Sequence, residues 1–133
     1  MRVAVVGSRN LSVKNLGEFL PEGVSEILSG GARGVDTSAK EYAEAQGIPL
    51  REFLPEYERY GRAAPLRRNL ALLAEADLVL AFWDGSSRGT AFVIRECRRR
   101  GVPLRVIREE ELKAERRNQK SDEKKKRVDQ RPR

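Results

Sequence analysis

Short apolar runs alternate with amphipathic segments along most of this 133-residue chain. Apolar runs predict strands at 2–6, 24–28, 48–54, 78–82 and 104–107, and the first of these runs is rich in β-branched residues. Between them, apolar residues recur every three or four positions, which predicts helices at 12–20, 36–46, 65–74 and 90–100. Ser12 is the expected N-cap of the first helix, and Pro49 favours an edge position for the third strand.

This alternation predicts an α/β fold: a Rossmann-like, doubly wound, mainly parallel five-stranded sheet with helices on both faces. Right-handed crossover connections place the helices over the sheet in such folds. The length suits one domain, which we expect to span 1–107. After it, Leu112, Ala114 and Val128 are too few apolar residues to bury, so 108–133 is expected to be a charged basic tail, either a frayed helix or disordered.

Three glycine-rich turns follow predicted strands and precede predicted helices. Their sequences are GSR at 7–9, SGGARGVD at 29–36 and DGSSRGT at 84–90. Glycine lets backbone N–H groups approach an anion, and a helix N-terminus adds unpaired donors and partial positive charge. Each turn also carries an arginine, a residue that binds phosphate through two parallel hydrogen bonds. One such turn is most often only a strand-to-helix connection, but three favour a polyanionic ligand.

The amino-acid composition excludes several kinds of functional site. The chain has no histidine and one cysteine, which excludes disulfide frameworks, the usual zinc ligand sets and Ser-His or Cys-His nucleophilic pairs. We therefore predict no metal site and no required cofactor, and Cys97 is expected in the core. The chain lacks a long apolar run and a signal-peptide pattern, which predicts a cytoplasmic protein without a membrane partner.

The net charge of +7 is concentrated toward the end of the chain, where Lys124, Lys125, Lys126 and Arg127 form a basic run. Such a run is usually a solvated tail, and weak attachment to nucleic acid through 108–133 is the rival interpretation.

In order, the three glycine turns, the segment YGRAA at 60–64, Arg68-Asn69 and Trp83 before the third turn resemble the SLOG superfamily, and within it the small YspA-like and YpsA-related proteins. The resemblance covers about 1–107. It implies a Rossmann-like domain that binds a nucleotide or nucleotide-derived ligand, as a sensor or binding module, and a second copy of the chain is a further candidate partner.

Two other activities occur in relatives of that superfamily. Phosphoribohydrolases of the lonely-guy type carry a catalytic glutamate soon after their Gly-Thr pair, whereas here Gly89-Thr90 is followed by apolar residues. Asp36 and Asp84 are the remaining, weak catalytic candidates, so whether the chain is an enzyme stays open. DprA binds single-stranded DNA, for which Trp83, Tyr57 and Tyr60 are the only plausible stacking residues near the site.

Under the leading interpretation, backbone N–H groups of the second and third turns bind phosphate, the Thr90 hydroxyl donates a further hydrogen bond, and arginines neutralise charge. Asp36 is either a helix N-cap or an acceptor for a ribose hydroxyl. Trp83 either stacks on the ligand or covers the sheet edge, and Asn69 either binds a base edge or fixes a turn. The predicted ligand-binding residues are Gly7, Ser8, Arg9, Gly30, Gly31, Arg33, Gly34, Asp36, Arg68, Asn69, Trp83, Asp84, Gly85, Ser86, Arg88, Gly89 and Thr90.

Overall fold

The computed structural model of the chain describes residues 1–113, which form one five-stranded sheet covered by helices. The strands are β1 (Arg2–Gly7), β2 (Glu26–Ser29), β3 (Leu50–Glu52), β4 (Leu78–Trp83) and β5 (Leu104–Arg108). The helices are α1 (Val35–Gln46), α2 (Tyr57–Tyr60), α3 (Ala64–Glu75) and α4 (Arg88–Arg100). All strand pairs are parallel, in the order β3-β2-β1-β4-β5, which confirms the predicted fold class.

The two faces of the sheet build two separate cores, because successive side chains of a strand point to opposite faces. Val3 and Val5 of β1 pack with α1, whereas Ala4 and Val6 pack with α3 and α4. Cys97 lies in the second core, as predicted. Helices therefore cover both faces, and β3 is an edge strand, as Pro49 indicated.

Strand order reverses between β1 and β4. From β1 the chain runs outward to β2 and β3, then returns to β4 on the other side of β1 and continues to β5. The connections that leave β1 and β4 therefore diverge, and a crevice opens at the carboxyl ends of these two strands. Gly7 and Phe82 are paired where the strands end.

The prediction of a helix at 12–20 is wrong. The segment contains only a 3₁₀ turn, Leu16–Glu18, and Ser12 does not cap it. Its apolar residues Val13, Leu16 and Phe19 are nevertheless buried. The Val13 N–H donates to the Ser38 hydroxyl of α1 at 2.9 Å, so tertiary contacts replace helical ones.

The apolar face predicted for α3 is partly wrong. Leu66 was expected to face inward with Leu70 and Leu73, but it is 44% exposed, and Leu72 and Leu73 are buried. The first turn of α3 lies beyond the sheet edge, where Leu66 lines a cavity. The loop predicted before this helix contains the short helix α2.

The domain extends past the predicted boundary at 107. Residues 109–113 are helical, and Leu112 is only 3% exposed within the core that includes Ile107 and Phe19. The expectation that Leu112 lacks a partner is wrong because the strand β5 leads it back onto that face. The predictions for 114–133 lie outside the described residues. Among residues 1–113, no helix is long and apolar enough to cross a membrane.

We expect Leu112→Ala to lower the free energy of unfolding by about 2 kcal/mol, since a buried leucine loses its contacts and leaves a cavity. Glu110→Ala, at an exposed position in the same helical turn, is the control and should change little. Urea denaturation of the full chain measures both. Equal stability of the two variants would show that Leu112 contributes nothing to the core.

Candidate functional site

A cavity of about 490 Å³ opens at the carboxyl edge of the sheet, at the reversal between β1 and β4. Its walls come from the β1 turn, the β2 turn, the start of α1, the start of α3 and the β4–α4 turn. The lining residues are Val6, Gly7, Ser8, Arg9, Asn10, Gly30, Ala32, Asp36, Pro65, Leu66, Arg68, Asn69, Asp84, Ser87, Arg88, Gly89, Thr90 and Val93.

The structure brings most of the predicted ligand-binding residues together around this cavity. They are Gly7, Ser8, Arg9, Gly30, Asp36, Arg68, Asn69, Asp84, Arg88, Gly89 and Thr90. The other predicted residues do not line it; these are Gly31, Arg33, Gly34, Trp83, Gly85 and Ser86.

The end of β1 is built for close packing. A Cβ on Gly7 would lie 2.6 Å from the Phe82 carbonyl oxygen and 2.6 Å from Val35 Cγ2, so only glycine lets α1 start against the strand. Ser8 is 2% exposed; its N–H donates to the Phe82 carbonyl at 3.0 Å, and its hydroxyl accepts from the Asp84 N–H at 3.1 Å. Ser8 therefore joins the ends of β1 and β4 across the crevice.

Asp84 organises the turn that leads into α4. Its Oδ1 accepts from the N–H groups of Ser86 at 2.9 Å and Ser87 at 2.8 Å, and its Oδ2 accepts from the Ser87 hydroxyl at 2.8 Å. These hydrogen bonds, the backbone ones first, hold the pKa of the Asp84 carboxyl well below its usual range. A carboxylate that stays ionised and accepts so many hydrogen bonds suits a structural role better than proton transfer.

The N-terminus of α4 presents unpaired donors to the cavity. The first bond of the helix runs from the Ala91 N–H to the Ser87 carbonyl at 3.1 Å. The N–H groups of Arg88, Gly89 and Thr90 have no acceptor within residues 1–113. The Thr90 side chain is 5% exposed, lines the cavity and makes no hydrogen bond in the described part of the chain.

Two arginines flank these donors. Arg9 and Arg88 line the cavity, and within residues 1–113 neither guanidinium makes an ion pair or a hydrogen bond. Arg33, the arginine of the second glycine turn, is exposed and does not line the cavity. Arg9 and Arg88 therefore contribute positive charge to the cavity lining.

Asp36 does not cap α1, contrary to the first of its two sequence interpretations. Gly34 occupies the N-cap with φ +73°, and Asp36 lies inside the first turn. Its Oδ2 instead accepts from the Ala32 N–H at 3.0 Å. Burial raises the pKa of the Asp36 carboxyl, against the lowering effects of that hydrogen bond and of the charges of Arg68 and Arg9.

Arg68 holds the wall next to Asp36. Its Nη1 donates to the carbonyl oxygens of Gly30 at 2.7 Å and Phe53 at 3.4 Å, and its Nε donates to Asn69 Oδ1 at 2.8 Å. Arg68 thus ties the turn after β2 and the end of β3 to α3. The Asn69 carboxamide oxygen is used in the same contact.

Trp83 covers the sheet edge, the second of the two roles that the sequence suggested for it. Its Nε1 donates to the Ser87 carbonyl at 3.0 Å, and the Arg108 guanidinium lies 4.8 Å from the centroid of its ring. The indole therefore supports the β4–α4 turn from outside the cavity.

Sequence reasoning did not select Asn10, Ser87 or Leu66 as site residues. Asn10 directly follows Arg9, so extending the first turn by one residue finds it, and Ser87 lies inside the third glycine turn, so including every polar residue of that turn finds it. Nothing in the helical pattern distinguishes Leu66 from a core leucine.

We expect the stability of the unliganded chain to depend on pH through Asp36. Because the folded carboxyl has a raised pKa, the folded state binds the proton more tightly, and stability falls as pH rises from the unfolded value of about 3.9 through the folded pKa. Asp36→Asn should therefore be more stable than wild type at pH 7, with the difference closing at low pH.

Thermal unfolding across pH values measures this difference, with Glu44→Gln, exposed on the same helix, as the control. A lower stability of Asp36→Asn than of wild type at pH 7 would contradict the assigned effect of burial.

The fold and the cavity define a doubly wound α/β protein with a ligand-sized crevice at its topological switch point. No protein-family model matches the chain, and no solved structure matches it. The chain is 33% identical over 84 residues to the "Gene 61 protein" of Mycobacterium phage D29, a match that covers 59% of this chain and 67% of the phage protein. The chain belongs to the same family as that phage protein.

Proposed function

We propose that this chain binds a nucleotide or nucleotide-derived phosphate ligand in the crevice between β1 and β4, as a sensor or binding module. The observation that carries the proposal is the start of α4, where acceptor-free N–H groups and the buried Thr90 side chain line a cavity. Helix N-termini of this kind bind anions through their N–H groups and the helix dipole.

The charge and size of the cavity support a phosphate ester. Arg9 and Arg88 supply two guanidinium groups that make no ion pair or hydrogen bond within residues 1–113, suited to a group with several negative oxygens. The volume of about 490 Å³ lies within the usual range for small-molecule sites and exceeds the need of an inorganic ion. The resemblance to the SLOG superfamily favours the same class of ligand.

Thermal unfolding of the full chain against a ligand panel tests the proposal. The panel contains nucleoside mono- and diphosphates, ADP-ribose, dinucleotide cofactors, cyclic nucleotides and single-stranded DNA, each at two salt concentrations. A ligand present at about 100 times its Kd stabilises the fold by roughly 2.7 kcal/mol, which is readily seen as a shift in Tm. We expect such a shift from a small nucleotide, and we expect Arg88→Ala to remove it.

Arg98→Ala is the matched control, because Arg98 is exposed near the other end of α4. It changes the net charge equally and should leave the shift in place. Absence of any small-molecule shift, with a salt-sensitive response to DNA that is lost when Lys124, Lys125 and Lys126 are changed to Gln, would replace the proposal with nucleic-acid binding.

A phosphoribohydrolase type of reaction is the second candidate, favoured by one observation: Asp36 is a buried cavity carboxyl with a raised pKa. Release of free base from the bound nucleotide, followed by chromatography, tests it. Turnover that Asp36→Asn abolishes without loss of binding would make the chain an enzyme, and an intact nucleotide after long incubation would leave it a binding module.

A further inference from the structure

The cavity lining has two chemically different ends, because it is built from the turns after β4 and β2, the strands on either side of β1. At the β4 side, the start of α4 presents N–H donors and the Thr90 side chain, with Arg88 beside them. At the β2 side, Asp36 presents a carboxylate, which accepts hydrogen bonds and repels anions. A ligand that consists only of phosphate satisfies the first end and not the second.

The Asp36 carboxylate is buried, with a hydrogen-bonding site left over. The residue is 8% exposed, and Oδ2 already accepts from the Ala32 N–H at 3.0 Å. Within residues 1–113, Oδ1 accepts no hydrogen bond. Oδ1 is not one of the enclosed, unpartnered side-chain oxygens of residues 1–113, so it is accessible from the cavity that Asp36 lines, and a bound molecule can donate to it.

Arg68, the nearby cation, does not supply that donor. Its hydrogen bonds go to the carbonyls of Gly30 and Phe53 and to the side chain of Asn69, and it forms no ion pair with Asp36. The positive charge of Arg68 attracts the Asp36 carboxylate, but Arg68 donates no hydrogen bond to it. Arg68 therefore leaves Oδ1 free to accept from a molecule in the cavity.

We infer that Asp36 accepts a hydrogen bond from a sugar hydroxyl of the ligand, so that the site selects a ribose phosphate with free hydroxyl groups over deoxygenated or purely anionic ligands. This inference rests on the proposed function, because it needs phosphate at the α4 end. A ribonucleotide carries both required features in one molecule: an anion for the N–H groups and neutral hydroxyl donors a few bonds away. Asp36 is thus the specificity-determining residue of the cavity.

Calorimetric titration of the full chain with ADP and with 2′,3′-dideoxy-ADP tests the inference, since the two probes share base and phosphates. We expect wild type to prefer ADP by about tenfold, the discrimination of one hydrogen bond to a charged group. In Asp36→Ala the preference should fall below about twofold. Asp36→Asn keeps one oxygen to accept from the Ala32 N–H and loses the second acceptor oxygen, so it should lose the preference for ADP as well. This variant tests the inference even if Asp36→Ala folds poorly.

Arg88→Ala is the companion variant and should weaken both nucleotides by the same factor, leaving their ratio unchanged. Equal affinities of wild type for the two nucleotides, or a preference retained by both Asp36 variants, overturns the inference and leaves the proposed function standing if Arg88→Ala still weakens binding. Failure of wild type to bind either nucleotide, and of the panel to shift its Tm, overturns both.

Discussion

Gly34→Ala is expected to lower the free energy of unfolding by about 4 kcal/mol, the sum of backbone strain and of overpacking. Gly34 has φ +73° and ψ −119°, a conformation that residues with a side chain rarely adopt. A Cβ there would also lie 2.4 Å from the Arg9 carbonyl oxygen, a backbone atom that cannot rotate away. Guanidinium denaturation of the variant and wild type, with slopes compared, measures the loss.

Gly47→Ala is the control that separates the cost of backbone strain from the cost of steric overlap at the added Cβ. Gly47 ends α1 in the left-handed region at φ +66°, and its Cβ would meet nothing within 4 Å. We expect this variant to cost about 1 kcal/mol. Equal losses in the two variants would mean that the close approach of Gly34 to the Arg9 backbone is not what fixes the start of α1.

The double variant Arg9→Ala with Arg88→Ala is expected to weaken a phosphate-bearing ligand by at least about 100-fold. Hydrogen bonds to charged groups contribute roughly 1.5–3 kcal/mol each, and two such losses exceed the 2.7 kcal/mol that this factor represents. The reason is local, because both arginines line the cavity and make no ion pair or hydrogen bond in the described part of the chain. Titration calorimetry at a fixed salt concentration measures the change in Kd.

Arg33→Ala with Arg98→Ala removes the same charge from exposed positions outside the cavity lining. We expect less than about a threefold effect from this pair, and only at low salt, since exposed charges are screened. A loss as large as that of the cavity pair would assign the affinity to net charge, and the proposed site would be wrong.

The sheet could be predicted from sequence because the strands other than β3 are mainly apolar runs that end at or just before glycine, serine or a charged residue. The runs at 2–6 and 78–82 appear as the central strands β1 and β4, and Pro49 correctly marked an edge. The segment 12–20 failed because its apolar residues match a helix but are buried by contacts with α1 instead, as in the bond from Val13 to Ser38. The spacing of apolar residues indicates which positions are buried, but it does not by itself indicate the backbone conformation of the segment.

The sequence predicted which turns form the site but not what each side chain in those turns does. The switch-point rule placed Gly7, Asp84 and Gly89 at one edge, and they line one cavity there. The sequence could not tell that Gly34 is the N-cap of α1, which frees Asp36 for the cavity, or that Arg33 does not line the cavity. Those outcomes depend on the local φ of single residues and on which neighbours fill the space.

An NMR titration of the full, uniformly ¹⁵N-labelled chain with ADP shows where the phosphate binds, because each backbone N–H reports its own surroundings. We expect the largest amide shift changes at Arg88, Gly89 and Thr90, with smaller ones at Ser8 and Arg9, and saturation at a single Kd. Changes confined to the basic run at 124–127, or centred on Tyr60 and Arg67 beside the second cavity of about 520 Å³, would contradict this expectation.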